Sequence, residues 1–492
     1  MTTTTSTTSA APELRNYVGG AWVAAAAADR LDDVDPATGG IVARVPLSGA
    51  DDVDAAVQAA RAAFPAWRAT SPVVRARALM QLREALVAHQ QEIAELVTRD
   101  MGKTLPDAFA EVGRGIESVE AAIAIPHLLK GENLEGVARG VDVEFVRQPV
   151  GVIAAITPFN FPAMIPLWFL PFAIACGNTF VLKPSEQDPR PSQRIVELID
   201  AIEEIPRGVV NLVHGGRDAV NGLLDHPAVD AISFVGSAAT ARYVAARAAE
   251  RGKRVQALGG AKNSMIVMPD ADPGLTSAGV MGSAFGAAGQ RCLAGSVAVL
   301  VGSEAEQDRA RDLLVQAAAA LRVGAGLDPE TDVSPLVSVA SRERVEREIE
   351  EALAAGAELA LDGRRGGGAA GAELGPTILD RLPDDARALR EELFGPVLAL
   401  KRVPDLDAAI AWTNGSRYGN SAILFTQSGA AARQFRFAIE AGMLGVNIGV
   451  AAPVAWFPFA GWKDSIDGDL HANGTDAVDF YTRKKVVTSR WA

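Results

Sequence analysis

The sequence contains few of the residues that build metal centres or disulfide frameworks. Among its 492 residues there are two cysteines, Cys176 and Cys292, and five histidines. No Cys-x-x-Cys pair occurs, and no two histidines stand at the spacing of metal ligands. Two lone cysteines exclude a disulfide scaffold and fit a reducing compartment. We therefore expect no metal and a cytoplasmic location.

Positive charge is also scarce. The formal net charge is −13 and the chain has no polybasic run, which argues against binding to nucleic acid or to a membrane surface. The Thr/Ser-rich start lacks the basic and apolar regions of a secretory signal. We expect residues 1–15 to form a disordered tail.

Residues 149–182 carry no charged side chain, and this length suffices to span a bilayer. Proline, which breaks helices, interrupts the segment at Pro158, Pro162, Pro166 and Pro171. The pattern therefore favours a buried strand, a tight turn and a buried helix over a membrane span.

No Gly-x-Gly-x-x-Gly follows a first strand, so this pattern does not identify a nucleotide. Apolar β-rich segments nevertheless alternate with helical stretches after residue 151, and they lie at Val152–Ile156, Thr179–Leu182, Val209–Val213 and Ile232–Val235. This alternation predicts a parallel sheet covered by helices, as in nucleotide-binding domains. A second alternating block follows at 264–456. Elsewhere the periodicity predicts helices at 51–69, 72–101 and 105–129, and strands at 133–148 and 476–491.

Six short motifs together resemble the aldehyde dehydrogenase superfamily in order and spacing. They are Thr157–Pro162, Gly177–Asn178, Lys183–Glu186, Phe234–Ser237, Gly289–Cys292 and Glu392–Pro396. Each motif alone is weak, but six in register are specific, and the resemblance extends from about residue 16 to the end.

This resemblance implies an α/β fold of three parts. They are a Rossmann-type NAD-binding domain (16–129 and 150–260), an α/β catalytic domain (261–465) and a small β oligomerisation element (130–149 and 466–492). An exposed edge strand in that element suits pairing with a second subunit. The expected assembly is a homo-oligomer, either a dimer or a tetramer.

Cys292 is the candidate nucleophile, because a cysteine thiolate can attack an aldehyde carbon. Arg291 beside it is expected to help lower the pKa of the thiol. By resemblance, the side-chain amide of Asn160 and the main-chain N–H of Cys292 stabilise the alkoxide that forms. The alternative for Cys292 is a buried structural cysteine, and the alternative for Asn160 is a residue that caps a turn. The surrounding motifs favour the catalytic roles for both residues. For Cys176 the structural interpretation stands.

The resemblance assigns cofactor binding to Thr157, Phe159, Lys183, Ser185, Glu186, Ser237, Glu392 and Phe394. Lys183 and Glu186 would reach the adenosine ribose, and a carboxylate there repels a 2′-phosphate, which favours NAD over NADP. Ser237 would meet the pyrophosphate at the start of a helix. The alternative for Lys183 and Glu186 is an ordinary surface pair.

The sequence lacks one residue that matters for the release of the acyl group from Cys292. Hydrolytic members of the superfamily carry a Glu before Leu-Gly-Gly, whereas this chain has Ala257. Without that base, water is a poor nucleophile at neutral pH, while a thiol ionises readily and attacks thioesters. We therefore expect acyl transfer to coenzyme A as a co-substrate.

The presence of Ala257 in place of that Glu resembles the pattern of the methylmalonate-semialdehyde dehydrogenase family, which is the acylating type. Further matching segments are Ala261–Asn263, Phe457–Phe459, Gly461–Lys463, Gly468–His471 and Phe480–Arg483. By resemblance, Arg114 and Arg291 hold the substrate carboxylate through bidentate guanidinium contacts. The expected products are propionyl-CoA or acetyl-CoA, CO₂ and NADH.

Four residues depart from that family's pattern: Ser264, Leu293, Ala460 and Asp464. Asp464 is expected to add negative charge near the substrate entrance, and the identity of the semialdehyde stays open. Two alternatives also remain. One is a hydrolysing NAD-dependent enzyme that acts on another aldehyde, and the other is a non-catalytic binding or structural homologue.

Overall fold

The computed structural model describes residues 11–364 and 371–491, so most of the expected tail at 1–15 lies outside the described residues. The helices are α1 (Ala50–Ala69), α2 (Pro72–Ala88), α3 (Gln90–Met101), α4 (Leu105–Ile123), α5 (Ile125–Leu128), α6 (Met164–Ala175), α7 (Arg190–Asp200), α8 (Arg217–Asp225), α9 (Ala238–Glu250), α10 (Pro273–Ala284), α11 (Glu304–Ala319), α12 (Val339–Ala354), α13 (Arg387–Arg390), α14 (Leu406–Asn414), α15 (Gly429–Ala438) and α16 (Gly474–Tyr481).

The strands complete the described structure. They are β1 (Asn16–Val18), β2 (Ala21–Val23), β3 (Arg30–Val34), β4 (Ile41–Pro46), β5 (Asn133–Ala138), β6 (Val141–Pro149), β7 (Val152–Ile156), β8 (Thr179–Lys183), β9 (Val210–Leu212), β10 (Ala231–Val235), β11 (Arg254–Leu258), β12 (Asn263–Val267), β13 (Gly295–Val301), β14 (Glu358–Leu361), β15 (Thr377–Asp380), β16 (Val397–Val403), β17 (Tyr418–Gly419), β18 (Ser421–Phe425), β19 (Met443–Val446), β20 (Trp462–Lys463), β21 (Ile466–Asp467) and β22 (Thr482–Arg490).

The first sheet has the order β2-β1-β9-β8-β7-β10-β11-β21, with a parallel centre from β9 to β11. The apolar runs predicted as strands form this centre, and the expected α/β fold class is confirmed. The chain adds β8 on one side of β7 and β10 on the other. Such a reversal of strand order opens a crevice at the carboxyl ends of the strands, where ligands bind.

The uncharged segment 149–182 forms β7, a turn, α6 and most of β8. Every residue of α6 is buried, which explains why the helix is apolar all round. Within the described ranges, no helix is both long and apolar enough to cross a membrane.

The second sheet has the order β14-β15-β16-β13-β12-β18-β19 and is parallel except for β14. It contains the strands of the second predicted α/β block. A separate apolar core that includes Met265, Phe285, Leu398 and Phe435 packs around it. The chain therefore provides two α/β units whose edges can enclose a site.

A three-stranded antiparallel sheet, β22-β6-β5, stands apart from both larger sheets. Here the single strand predicted at 133–148 is a hairpin, because Gly140 with φ of 69° allows a reversal. The segment predicted as one strand at 476–491 instead forms most of α16 followed by β22. Helix α16 packs on α6. Residues 466–467 pair with β11 in the first sheet. The three-part division itself remains a prediction.

The helix predicted at 72–101 is two helices, α2 and α3, that meet at His89. The backbone of His89 leaves the helical region, and its ring Nδ1 lies 2.8 Å from the Ala85 carbonyl oxygen. The apolar spacing continues through the break, so periodicity alone did not locate it.

Candidate active site

The crevice in the first sheet collects residues from three strand ends. Thr157 and Phe159 follow β7, Lys183 ends β8 and Ser237 follows β10. The Thr157 N–H donates to the Lys183 carbonyl oxygen at 3.1 Å and ties two of these ends together. The Thr157 hydroxyl is buried and has no hydrogen-bond partner in the described structure. A buried hydroxyl without a partner is costly, so it fits a ligand that would bond to it.

Lys183 and Glu186 form an ion pair, with Nζ and Oε2 2.6 Å apart. The Lys183 side chain is only 5% exposed and that of Glu186 is 35% exposed, so the pair is partly buried and differs from a fully exposed surface pair. Ser185 lies between them, and its hydroxyl accepts the Gln187 N–H at 3.1 Å. The structure thus gathers a cation, a carboxylate and a hydroxyl at one end of the crevice.

Ser237 caps α9 through its hydroxyl, which accepts the Thr240 N–H at 3.4 Å. The helix begins at Ala238, as the sequence predicts. Its first N–H groups have no partners inside the helix, and the helix dipole makes this end positive. Gly236 precedes the cap, and a Cβ there would lie 2.4 Å from the Phe234 ring. This helix start suits a phosphate.

Glu392 and Phe394 reach the same crevice from the second unit. The Phe394 ring meets Phe159 edge-to-face with centroids 5.7 Å apart, which joins two motifs that are distant in sequence. Oε1 of Glu392 accepts the Ala261 N–H at 3.2 Å. Burial raises the pKa of Glu392 to about 7. Burial also lowers the pKa of neighbouring Lys262 to about 8.

Cys292 lies in a turn held by three asparagines. Its main-chain carbonyl accepts one hydrogen bond from Asn263 and one from Asn420, each 2.9 Å long. The Asn160 side chain, arriving from the first unit, donates to the Gln290 carbonyl at 3.0 Å. The sequence singled out Asn160 and did not assign a role to the other two. These bonds fix the nucleophile's main chain between the two units.

The turn before Cys292 has an unusual backbone. Ala287 and Ala288 adopt φ of 49° and 52°, where side chains other than glycine are rare. Gly289 follows with φ of 71°, and a Cβ there would lie 2.2 Å from the Gly395 carbonyl oxygen. Strained backbone of this kind clusters at functional sites.

A cavity of about 260 Å³ opens at the sulfur, and we call it the Cys292 cavity; its lining includes Asp107, Arg114, Trp168, Arg291, Cys292 and Phe459. Arg114 donates to the Glu117 carboxylate at 2.6 Å and to the Pro453 carbonyl. The structure therefore brings both predicted carboxylate-binding arginines into the cavity of the candidate nucleophile.

The structure places the departures from the family pattern in different surroundings. Leu293 lines the Cys292 cavity, and Ser264 is buried in β12. Asp464 is not among the lining residues and pairs with Arg242 at 3.0 Å and Arg417 at 3.5 Å. Its main chain lies against Gly259, next to α9. Asp464 therefore lies near the start of α9, paired with two arginines and outside the lining of the Cys292 cavity.

Comparison with known proteins agrees with this arrangement. The profile of the aldehyde dehydrogenase family matches residues 22–487. The chain belongs to the aldehyde dehydrogenase family. Malonate-semialdehyde dehydrogenase 1 of Geobacillus kaustophilus is 49% identical over 480 residues, which cover 97% of this chain and 98% of that enzyme.

Two solved structures resemble this aldehyde dehydrogenase over nearly its whole length. A methylmalonate-semialdehyde dehydrogenase of Oceanimonas doudoroffii has a TM-score of 0.95 and 43% identity, and covers 98% of this chain and 99% of its own. A candidate methylmalonate-semialdehyde dehydrogenase of Sinorhizobium meliloti, solved with NAD, has a TM-score of 0.96, 42% identity and the same coverages.

The thiol of this aldehyde dehydrogenase is less acidic than the sequence suggested. Burial raises the pKa of Cys292 to about 12, and the negative charge of Glu392 adds to the rise. The N–H groups of Cys292 and Leu293 act in the opposite direction, and Arg291 does so least of these. Arg291 is engaged by the Asp107 carboxylate at 2.8 Å, which weakens its effect on the sulfur. The raised pKa favours the thiol over the thiolate at neutral pH.

This protonation state predicts how alkylation depends on pH. Below a thiol's pKa, the thiolate fraction rises about tenfold per pH unit. We expect iodoacetamide to label Cys292 about tenfold faster per unit between pH 7 and 10, with no plateau, as measured by peptide mass spectrometry. Cys176 is fully buried and should stay unlabelled in the folded protein, which provides an internal control. A plateau near pH 8 would contradict the raised pKa.

The sequence missed a buried ion pair behind the nucleophile. Lys103 and Glu111 lie 2.5 Å apart with no exposed side-chain surface, and Lys103 also donates to the Asn160 carbonyl at 2.8 Å. Glu111 accepts the N–H groups of Ala163 and Met164 at 2.9 and 3.1 Å. The pair thus fixes both ends of the turn that carries Asn160. Its only sequence signal is the eight-residue separation between the two charges.

Proposed function

We propose that this aldehyde dehydrogenase oxidises malonate semialdehyde or its methyl homologue with NAD and transfers the acyl group to coenzyme A. The observation that carries the proposal is one cavity that presents the Cys292 thiol together with Arg114 and Arg291. A thiol suits attack on an aldehyde, and two guanidinium groups suit a carboxylate at the other end of the same small molecule. The names of relatives at 49% and 43% identity support this substrate class.

The crevice residues fit NAD. Lys183 and Glu186 would hold the adenosine ribose, and the Glu186 carboxylate would repel the 2′-phosphate of NADP. The start of α9 at Ser237 would receive the pyrophosphate. Glu392 and Phe394 would hold the nicotinamide end, beside the thiol. Bound NAD would supply the electron acceptor for aldehyde oxidation.

Cys292 would begin the reaction by forming a bond from its sulfur to the aldehyde carbon. The negative charge then develops on the aldehyde oxygen, where the Cys292 N–H and the Asn160 amide would donate. The Asn160 amide has two N–H bonds, and the Gln290 carbonyl uses one of them. The other is available for the oxyanion. Oxidation leaves the acyl group as a thioester on Cys292.

The acceptor in the second half-reaction would be the thiol of coenzyme A. Ala257 is fully buried in β11 beside Phe234 and carries no carboxylate to activate water. Transfer between thiols exchanges one thioester for another and needs no such base. Loss of CO₂ from the bound acyl group would leave an enolate, and the same oxyanion donors would stabilise it.

A specific observation favours hydrolysis as the second candidate. Glu392 is an acid with a pKa of about 7, and its charge acts on Cys292. A carboxylate with this pKa can serve as a general base near neutral pH. Dependence on coenzyme A distinguishes the two acceptors. The grouping of the thiol, the oxyanion donors and the arginines in one site argues against a non-catalytic homologue.

The substrate class can be tested with paired aldehydes. NADH formation should be fastest with malonate or methylmalonate semialdehyde and slower with propanal, which lacks a carboxylate. Arg114→Gln should lower kcat/KM for the carboxylated substrates about tenfold to a hundredfold, since a hydrogen bond to a charged group contributes about 1.5–3 kcal/mol. It should change propanal oxidation little. Equal losses with both substrates would show that Arg114 supports the fold and not the carboxylate.

A further inference from the structure

One face of α4 lines the Cys292 cavity with residues at helical spacing: Asp107, Glu111, Arg114 and Ser118. Residues three and four apart on a helix lie on the same side, so this face presents two carboxylates as well as the arginine. A cavity proposed to bind an anion would not be expected to contain free carboxylates, because like charges repel. Neighbouring groups are therefore expected to compensate the negative charges of Asp107 and Glu111.

Glu111 is accounted for by its contacts. Lys103 neutralises it, and two main-chain N–H groups donate to its other oxygen. Both side chains of the ion pair are fully buried. Glu111 therefore presents no uncompensated charge to the cavity and supports the neighbouring turn.

Asp107 is in a different position. Its side chain is 32% exposed, and its carboxylate lies 2.8 Å from Nη2 of Arg291. Nη1 of Arg291 donates to the Gly282 carbonyl at 3.2 Å, and Nε is buried without a partner in the described structure. Asp107 thus occupies the charged contact of Arg291 that a substrate carboxylate would use.

We propose that Asp107 is a specificity-determining residue that competes with the substrate carboxylate for Arg291. This inference rests on the proposed function of Arg291. Asp107 supplies a carboxylate partner to the guanidinium of Arg291. A carboxylated substrate gains Arg291 only by displacing Asp107 or by sharing the guanidinium with it. Asp107 therefore weakens the binding of carboxylated aldehydes and leaves neutral aldehydes unaffected.

Asp107→Asn provides the test, because asparagine keeps the shape and one acceptor oxygen but removes the charge. The expected result is a KM for malonate semialdehyde about fivefold lower, with kcat and the KM for propanal nearly unchanged. This corresponds to the ~1 kcal/mol of a partly exposed charge contact. Propionate, tested as an inhibitor of propanal oxidation, should show a matching fall in its inhibition constant.

Glu120→Gln is the matched control. Glu120 lies on the same helix, its side chain is 34% exposed and it pairs with Arg83 at 2.9 Å, outside the cavity lining. It should leave every constant unchanged. An unchanged or higher KM for malonate semialdehyde in Asp107→Asn would overturn the proposal and make Asp107 a residue that orients Arg291. If Asp107→Asn folds poorly by its melting temperature, Asp107→Ser replaces it with the same expected results.

The substrate class and the role of Asp107 are tested separately by these measurements. If the wild-type enzyme showed no preference for carboxylated aldehydes, the proposed substrate class would fail. The propionate measurement uses propanal as substrate, so it still reports whether Asp107 competes with a carboxylate at Arg291. If the preference exists and propionate inhibition is unchanged in Asp107→Asn, only the role of Asp107 fails.

Discussion

Replacement of Cys292 by alanine is expected to reduce NADH formation by at least about ten-thousandfold, because removal of a covalent nucleophile commonly has an effect of this size. No other cysteine can substitute, since Cys176 is fully buried and burial raises its pKa to about 12. The measurement is the steady-state rate at saturating aldehyde, NAD and coenzyme A. Tryptophan quenching on NAD binding should persist, which would show an intact crevice.

Cys176→Ala is the control for this experiment. It removes the other sulfur from the apolar core around α6 and should reduce the melting temperature while kcat stays within about twofold. A Cys292→Ala enzyme with more than about one hundredth of the wild-type rate would refute a covalent mechanism at this sulfur.

Omission of coenzyme A is expected to give one burst of NADH equal to the number of active sites, followed by a rate at least about a hundredfold lower. General-base catalysis typically contributes about 10²–10⁴ in rate, and Ala257 provides no carboxylate that could activate water. Rapid-mixing absorbance at 340 nm would measure both phases. Mass spectrometry of the stalled protein should find the acyl group on Cys292.

The matched variant for this second experiment is Glu392→Gln, assayed without coenzyme A. If Glu392 activates water, the slow phase of the wild type should fall further in this variant. If the wild type turns over fully without coenzyme A and releases the free acid, the thiol acceptor is excluded and hydrolysis is the function. The size of the NADH burst in the wild type and in Glu392→Gln reports oxidation. A full burst followed by a slower second phase therefore indicates that release of the acyl group is impaired and that oxidation is intact.

Patterns in the sequence predicted the parts of the fold that depend on local chemistry. Fully apolar runs such as Val152–Ile156 gave the central strands, since only a buried parallel sheet accommodates them. The cap at Ser237 gave the start of α9. The break at His89 was not predicted, because the apolar spacing continues through it. The helix at 474–481 was not predicted either, and it packs against α6, a contact that joins distant parts of the chain.

The candidate site was predictable where residues stand in motifs. Cys292 and the two arginines were identified in this way and line one cavity. Asn160 was identified in the same way, and it bonds to the Gln290 carbonyl in the turn that carries Cys292. Asn420 was not identified, because its contact with the Cys292 carbonyl joins residues 128 positions apart. The sequence predicted that Arg291 lowers the pKa of Cys292, and it does so, but the larger rise caused by burial and Glu392 was not predicted, because these surroundings of the sulfur are not visible in sequence.

The close approach of Gly289 to Gly395 has a mechanical consequence. The two backbones touch so tightly that no side chain fits between them, and they flank Cys292 on one side and Phe394 on the other. Phe394 itself has a φ of 52°, so neither loop has slack to absorb a shift. A shift of the loop that carries Phe394 would therefore be transmitted to the turn that carries Cys292. The two loops should therefore move as one unit.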